Sequence, residues 1–444
     1  MIRASRLPRD PGPSAWNELL PPAPPPRVLS ERITADWLVI GAGWAGLAAA
    51  RRLTQLRGGD RIAVLDACRV AEGPAGRNSG FMVDLPHSLS GDGYEGTLTD
   101  DKAQTAMSRE AIAFAAETAE ELGMSEEAFV RCGKINAAAS DSGQAHNETY
   151  ARHLAAMDEP YEILDAKALQ ALTGIDYYRH GVFTPGAVMV QPAMFMRAMA
   201  EGLPGKAELF EQSPVTALER QDGDWRAETP KGSVTAPRVI LAVNGHAESF
   251  GFFKRRLMHV FTYASMTRAL TADEVTALGG KPRWGLLPAD PMGTTVRRIS
   301  GTGGDRIVVR NRFTYDPGME VSDARLRAVA RDHDASFRAR FPMLPNAEME
   351  YRWGGRLCLS WNGVPAFGEI EEGLFSACCQ NGLGTSKGTL AGMLAAELAA
   401  QGNSPLVAKM LACDAPKRLP PEPFAWLGAN ARMRWGEWKA GREL

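Results

Sequence analysis

The chain has 444 residues, with 50 lysines and arginines against 52 aspartates and glutamates, for a formal net charge of −2. That balance supplies no bulk field for gathering a phosphate polymer or an anionic lipid surface, so composition argues against nucleic acid and membrane as partners. The length exceeds what one hydrophobic core ordinarily serves and points to two or three domains.

Residues 1–33 read as an extended, proline-rich lead segment, expected to lie on the surface and to carry no chemistry. Its prolines also interrupt any apolar stretch of the kind an export signal needs. Asp36 to Ile40 is the first clear strand; glycines follow, then a helical run from Leu47 to Leu56 and a strand from Arg61 to Leu65, together the size of a βαβ unit. The longest apolar run, Trp37 to Ala50, contains three glycines and falls short of the ~18 residues a spanning helix needs. Residues 101–130 and 145–172 carry helical apolar spacing, with no strand expected between them. Val215–Arg220, Trp225–Thr229 and Val239–Val243 read as strands of a meander crossing a parallel sheet. From 251 to 353 there are β-like runs such as Arg306 to Arg310 and a helix at 322–340; residues 354–400 return to strand, glycine-rich loop and helix. The tail, 413–444, reads as helical, with Trp426, Trp435 and Trp438 among arginines and lysines, and is expected to pack on the body or on another subunit.

Six cysteines, at 68, 132, 358, 378, 379 and 413, show no framework spacing; they fit a reducing compartment, so a cytoplasmic location is expected. The seven histidines are scattered, and no metal site is expected.

Gly41-Ala42-Gly43-Trp44-Ala45-Gly46 is a G-x-G-x-x-G turn between a strand and a helix. The first glycine permits the tight turn, the second lets backbone approach a pyrophosphate, and the third allows close packing of helix on sheet. The helix N-terminus then offers free N–H groups and a positive dipole end to phosphate. Asp66, at the end of the next strand, is placed to accept hydrogen bonds from a ribose hydroxyl. This motif indicates a dinucleotide without separating FAD from NAD.

The segment Asp66-Ala67-Cys68-Arg69 through Gly73, Gly76, Arg77, Asn78, Ser79 and Gly80 makes the separation. Here the chain resembles the FAD-dependent D-amino-acid oxidase and glycine or sarcosine oxidase superfamily, and within it the gamma-glutamylputrescine oxidase-like branch. The resemblance implies that this loop runs beneath the flavin, with Arg77 and Asn78 offering a cation and amide donors. Pro74-Ala75 departs from the usual Ala-Ser. Gly382-Leu383-Gly384-Thr385-Ser386-Lys387 looks like the family's C-terminal loop, whose helix N-terminus faces the pyrimidine end of the ring and stabilises charge at N1. Ala242, Asn244 and Gly245 resemble the strand end that closes over the FAD phosphates, and Val215 the residue whose backbone meets adenine.

The resemblance implies an α/β fold: a Rossmann-type FAD-binding domain with a parallel sheet and a β-meander, plus a discontinuous α+β substrate domain on a mainly antiparallel sheet. The division read along the chain gives the first domain 34–87, 185–250 and 354–412, and the second 88–184 and 251–353. The reaction it implies is oxidation of a C–N bond in a small amine or amino acid by hydride transfer to flavin N5, with molecular oxygen reduced to peroxide. A dehydrogenase serving a quinone or carrier, and a scaffold holding structural flavin, stand as alternatives. His259 and Tyr263 are candidates for binding or polarising substrate, the pair Arg297-Arg298, with Arg298 foremost, for a cation that helps oxygen accept electrons, and Lys387 for charge near the ring. Arg310 and Arg312 are candidates for a substrate carboxylate or for decoration of the sheet. The FAD is expected to be non-covalent, although Cys358 lies near the position of the flavin-linked cysteine of some relatives. An oligomer is compatible with the sequence.

Overall fold

Trp37–Ile40 and Ile62–Leu65, buried at every residue, are the central strands of a six-stranded sheet in the computed structural model, which describes residues 1–86, 97–203, 205 and 207–444. The sheet order is Ala207–Phe210, Ile62–Leu65, Trp37–Ile40, Arg238–Leu241, Leu374–Cys378 and Ala366–Glu371, with all pairs parallel except the last. Alternation along Trp37–Ile40 assigns the two faces. Trp37 and Val39 pack under the helices Trp44–Leu56 and Gly384–Ala399, while Leu38 and Ile40 pack against the meander residues Leu218, Trp225 and Val234. Parallel strands covered on both faces need the continuous apolar runs seen here.

A second sheet has eight strands, in the order Met349–Ser360, Leu257–Thr267, Arg306–Tyr315, Thr295–Ile299, Trp284–Pro288, Lys134–Ala138, His180–Thr184 and Glu162–Asp165. Every neighbouring pair is antiparallel except Trp284–Pro288 with Lys134–Ala138. Phe81–Met82, Val188–Val190 and Phe129–Arg131 form a small antiparallel sheet.

Several elements differ from expectation. Phe129–Arg131 and Lys134–Ala138 are strands lying between the helices Leu98–Glu121 and Asp141–Ala156. The Ala-rich run from Ile135 has helical propensity, but pairing on both edges overrides it. The division at 353/354 falls inside the strand Met349–Ser360, and the one at 87/88 lies outside the described residues.

The lead segment is part of the core rather than a covering. Ile2–Arg3 and Arg32–Thr34 are the two edge strands of the five-stranded meander sheet, and Trp16 and Leu29 are fully buried. The short apolar groups between the prolines find slots in the body that sequence pattern does not reveal. The tail packs on its own chain: the helix Phe424–Ala440 lies on Arg306–Tyr315, and Glu437 pairs with Arg312 at 2.9 Å. The Glu443 carboxylate accepts from the backbone N–H groups of Ala139 and Ser140 at 2.8 Å. Among the described residues no helix is long and apolar enough to cross a membrane.

Candidate active site

Gly41 sits at φ +101°, a conformation that favours glycine. A Cβ on Gly46 would lie 1.6 Å from the Gly41 carbonyl oxygen, so the third glycine lets the helix Trp44–Leu56 start directly against the turn. Neither this helix nor Gly384–Ala399 carries an acidic residue in its first turn, which leaves both positive dipole ends uncompensated. Both N-termini open into one cavity, lined by Gly41, Gly43, Trp44 and Ala45 from the first turn and by Gly382, Leu383, Gly384 and Thr385 from the second.

The same cavity receives Asp66, Ala67, Arg69, Asn78, Ser79, Val215, Ala242, Asn244 and Gly245. Asp66 accepts the Ala42 N–H at 2.6 Å on one carboxylate oxygen and the Cys68 N–H at 2.8 Å on the other, so each oxygen keeps a lone pair for a further donor. Burial outweighs these bonds and raises its pKa to about 6. Four arginines line the cavity (Arg6, Arg69, Arg310 and Arg356) against the single carboxylate of Asp66. Gln380 Oε1 and His246 Nε2, also on lining residues, are buried without a partner among the described residues. A cavity with two helix N-termini, excess positive charge and unmet polar atoms fits a dinucleotide with a diphosphate and a polar ring.

Five residues read as cofactor contacts do not line the cavity, and they hold its walls instead. The Arg77 guanidinium donates to the carbonyls of Glu72, Pro11 and Gly354, so it ties the flavin loop to the lead segment. Gly76 and Gly80 permit close contacts of that loop with the Ala71 carbonyl and with Arg297. Gly46 acts in packing, and the Ser386 hydroxyl donates to the Val83 carbonyl at 3.0 Å.

All four residues proposed for catalysis lie off the cavity. His259 stands behind Gly245, with Nε2 2.8 Å from Glu248 Oε2. Tyr263 is buried beside Val329 of the helix Asp323–Arg340, and its hydroxyl shares a 2.7 Å hydrogen bond with Thr314 Oγ1. Arg298 is held by Asp305 at 3.1 Å. Lys387 is not among the lining residues, and burial lowers its pKa. No residue of the strand Leu257–Thr267 lines the cavity, whereas Thr295 on the strand of Arg298 and Thr385 and Gly388 beside Lys387 do, so strand face and helix side decide which neighbours reach it.

Arg297, one step from Arg298, reaches the back of the flavin loop, donating to the carbonyls of Ser79 at 2.7 Å and Val190 at 2.9 Å. Arg310 and Phe313 both line the cavity although three positions separate them. The register slips at Thr262/Tyr263 opposite Arg312, which adopts φ +59°. This bulge turns Phe313 inward and sends Arg312 out to Asp332 and Glu437. Arg310 has no carboxylate or carbonyl partner among the described residues; its guanidinium lies 4.8 Å from the Phe313 ring centroid. Burial lowers its pKa to about 10, which leaves it cationic at neutral pH.

Sequence reasoning missed Arg6, Leu7 and Pro8, which line the cavity from the lead segment. Asp10 pairs with Arg356 at 3.6 Å, Ser14 donates to the Gly76 carbonyl at 2.7 Å, and the Trp16 indole donates to the Asn78 carbonyl at 2.9 Å. The Pro-rich composition hid these contacts, since no periodic signal marks them. Phe81, Val83, Leu287, Thr295 and His246 complete the walls.

The sequence pattern of the DAO family, FAD-dependent oxidoreductases, matches residues 36–398. The chain belongs to this family. It is 26% identical over 408 residues to a probable oxidoreductase, OrdL, of Rhizobium meliloti, covering 88% of this chain and 89% of the relative. It is 25% identical over 379 residues to the gamma-glutamylputrescine oxidoreductase of Escherichia coli, covering 83% and 84%. The glycine oxidase structure from Geobacillus kaustophilus superposes with a TM-score of 0.68 at 20% identity, over 87% of this chain and all of that one, and so shares its fold. This DAO-family member is therefore an FAD-dependent oxidoreductase, and the matched residues begin only after the lead segment that helps to wall its cavity.

Proposed function

We propose that this oxidoreductase oxidises the C–N bond of a small amine that carries a carboxylate, an amino acid or an N-substituted one, and passes the electrons to molecular oxygen. The single observation that carries the substrate class is Arg310, a cavity-lining cation with no anionic partner among the described residues. A guanidinium fork in that position matches a carboxylate in geometry and charge. The names of the relatives, an oxidoreductase of gamma-glutamylputrescine and an oxidase of glycine, lie in the same chemical range.

Bound in the cavity, FAD would supply a two-electron hydride acceptor. Gly43, Asp66, Asn78 and Gly384, with the two helix N-termini, would hold it. Arg310 would fix the substrate carboxylate, while Trp44, Phe81, Val83, Leu287 and Phe313 form apolar walls that exclude water from the reacting carbon. Besides the arginines, the titratable lining residues are Asp66, His246, Cys68 and Cys358; burial drives the His246 pKa down to about 2, and both thiols are held protonated by raised pKa values. No lining residue is thus suited as a strong base, so the amine must lose its proton on entering, and the Arg310 charge favours that loss. The Arg297 guanidinium behind the loop supports the oxygen reading, because a fixed cation there lowers the cost of negative charge nearby.

Anaerobic mixing with a panel of amino acids, N-methyl amino acids and polyamines tests the first part. Carboxylated amines should bleach the flavin band, and their carboxyl-free counterparts should not. Peroxide formed in air separates oxygen from a quinone or carrier as acceptor.

A further inference from the structure

The helix Phe424–Ala440 is oriented inside out. It turns Ala429, Asn430, Met433, Gly436, Glu437 and Ala440 toward the body, while Phe424 is 67% exposed, Leu427 54%, Trp435 51% and Trp438 78%. Projected at about 100° per residue, Phe424, Leu427, Ala431, Trp435 and Trp438 fall within an arc of about 80°. Arg434 borders this stripe on one side, and Arg432 and Lys439 border it on the other, all three exposed. The one acid of the helix, Glu437, is neutralised inward by Arg312 at 2.9 Å.

The exposure does not come from a loose end. Tyr315 donates to Glu422 at 2.8 Å just ahead of the helix, Glu437 is clamped in its last turn, and the Glu443 carbonyl accepts from Arg340 at 2.9 Å beyond its end. A helix fixed at three points therefore holds out an aromatic face on the order of 500 Å², given that a whole aromatic side chain offers 150–250 Å². Patches of that size on a water-soluble surface mark interaction sites.

We propose that this face docks on an anionic lipid bilayer, with Phe424, Leu427, Trp435 and Trp438 seated at the boundary of headgroups and acyl chains and Arg432, Arg434 and Lys439 against lipid phosphates. Charge selects this occupant. A second copy of the helix would bring cationic borders against cationic borders, whereas an anionic headgroup layer complements both sides at once. Indole rings suit that boundary because one edge is apolar and the N–H is polar. The net charge of −2 does not oppose docking, since attraction to a surface falls off within a Debye length and depends on the local patch.

The test uses the full-length flavin-loaded protein, sedimented with phosphatidylcholine vesicles with and without phosphatidylglycerol. Binding is expected only to the anionic vesicles, with a blue shift of tryptophan emission and release by high salt. Arg432→Gln with Arg434→Gln should weaken partitioning roughly 25-fold, at about fivefold per cation. Trp435→Ser with Trp438→Ser should abolish it, and neither pair should change flavin content or the melting temperature. Failure to bind, or equal binding to neutral vesicles, overturns the proposal. So does a concentration-dependent dimer that the Trp435→Ser, Trp438→Ser pair dissolves, since the face would then be occupied by a second copy.

Discussion

Replacing Arg310 with glutamine removes a lining cation that has no carboxylate or carbonyl partner among the described residues. The change keeps side-chain bulk and a hydrogen-bond donor while deleting the charge that the substrate carboxylate is argued to meet. Breaking one side of a desolvated, hydrogen-bonded charge pair costs about 2–4 kcal/mol. On that basis kcat/KM for carboxylated substrates should fall roughly 30- to 1000-fold, with activity toward carboxyl-free amines unchanged or raised. Lysine at the same position restores charge without the planar fork and should recover only part of the loss. The assay is stopped-flow bleaching of the flavin band under anaerobic conditions, run beside Arg312→Gln as a control, because Arg312 is turned out to Asp332 and Glu437. Arg312→Gln should keep substrate reduction within about threefold of the wild type. If Arg310→Gln reduced its flavin as fast as the wild type on carboxylated substrates, the assignment of Arg310 would be refuted.

The pH dependence of FAD binding follows from Asp66, whose pKa burial raises to about 6. Ribose hydroxyls bind best to the ionised carboxylate, so FAD affinity should fall below pH about 6, approaching tenfold per unit, while the apoprotein gains stability from this group as pH drops from about 6 to about 4. Titration calorimetry with Asp66→Asn alongside checks this: a variant with the same slope would exclude Asp66 as the source. Asp10→Ala leaves the buried Arg356 guanidinium without its carboxylate and should lower stability by about 3 kcal/mol, or the melting temperature by roughly 3 °C for a chain of this length, with earlier flavin loss on heating. A melting shift below about 1 °C would mean that the lead segment does not hold the cavity. Cys358 lines the cavity, but its hydrogen bond with Cys379, together with burial, pushes its thiol pKa well up, so it stays protonated. Acid precipitation should therefore release all the yellow colour, from the wild type and Cys358→Ser alike; colour retained in the wild-type pellet alone would reveal a covalent bond.

The glycine turns were legible because each needs a residue type that few other structures tolerate. Gly41 at φ +101° and Gly46 in contact with the Gly41 carbonyl admit no side chain, and the chain marks both. Parallel strands such as Trp37–Ile40 were equally plain from their unbroken apolar runs. The substrate wall was not, because its outcome depends on which face a strand residue takes. Arg297 and Arg298 differ by one step, yet only Arg297 reaches the flavin loop, and a bulge opposite Thr262/Tyr263 decides between Arg310 and Arg312. Sequence spacing carries no record of a register slip. The lead segment failed for another reason: Asp10, Ser14 and Trp16 act through contacts far along the chain, which neither composition nor period encodes.

Spectrophotometric titration of the purified, folded chain with FAD, followed by anaerobic addition of substrate, reaches furthest into the whole account. Saturation at one FAD per chain and full loss of the flavin band with a carboxylated amine are the results it requires. A folded protein that stays colourless with excess FAD, or one whose bound flavin no amine reduces, would contradict it.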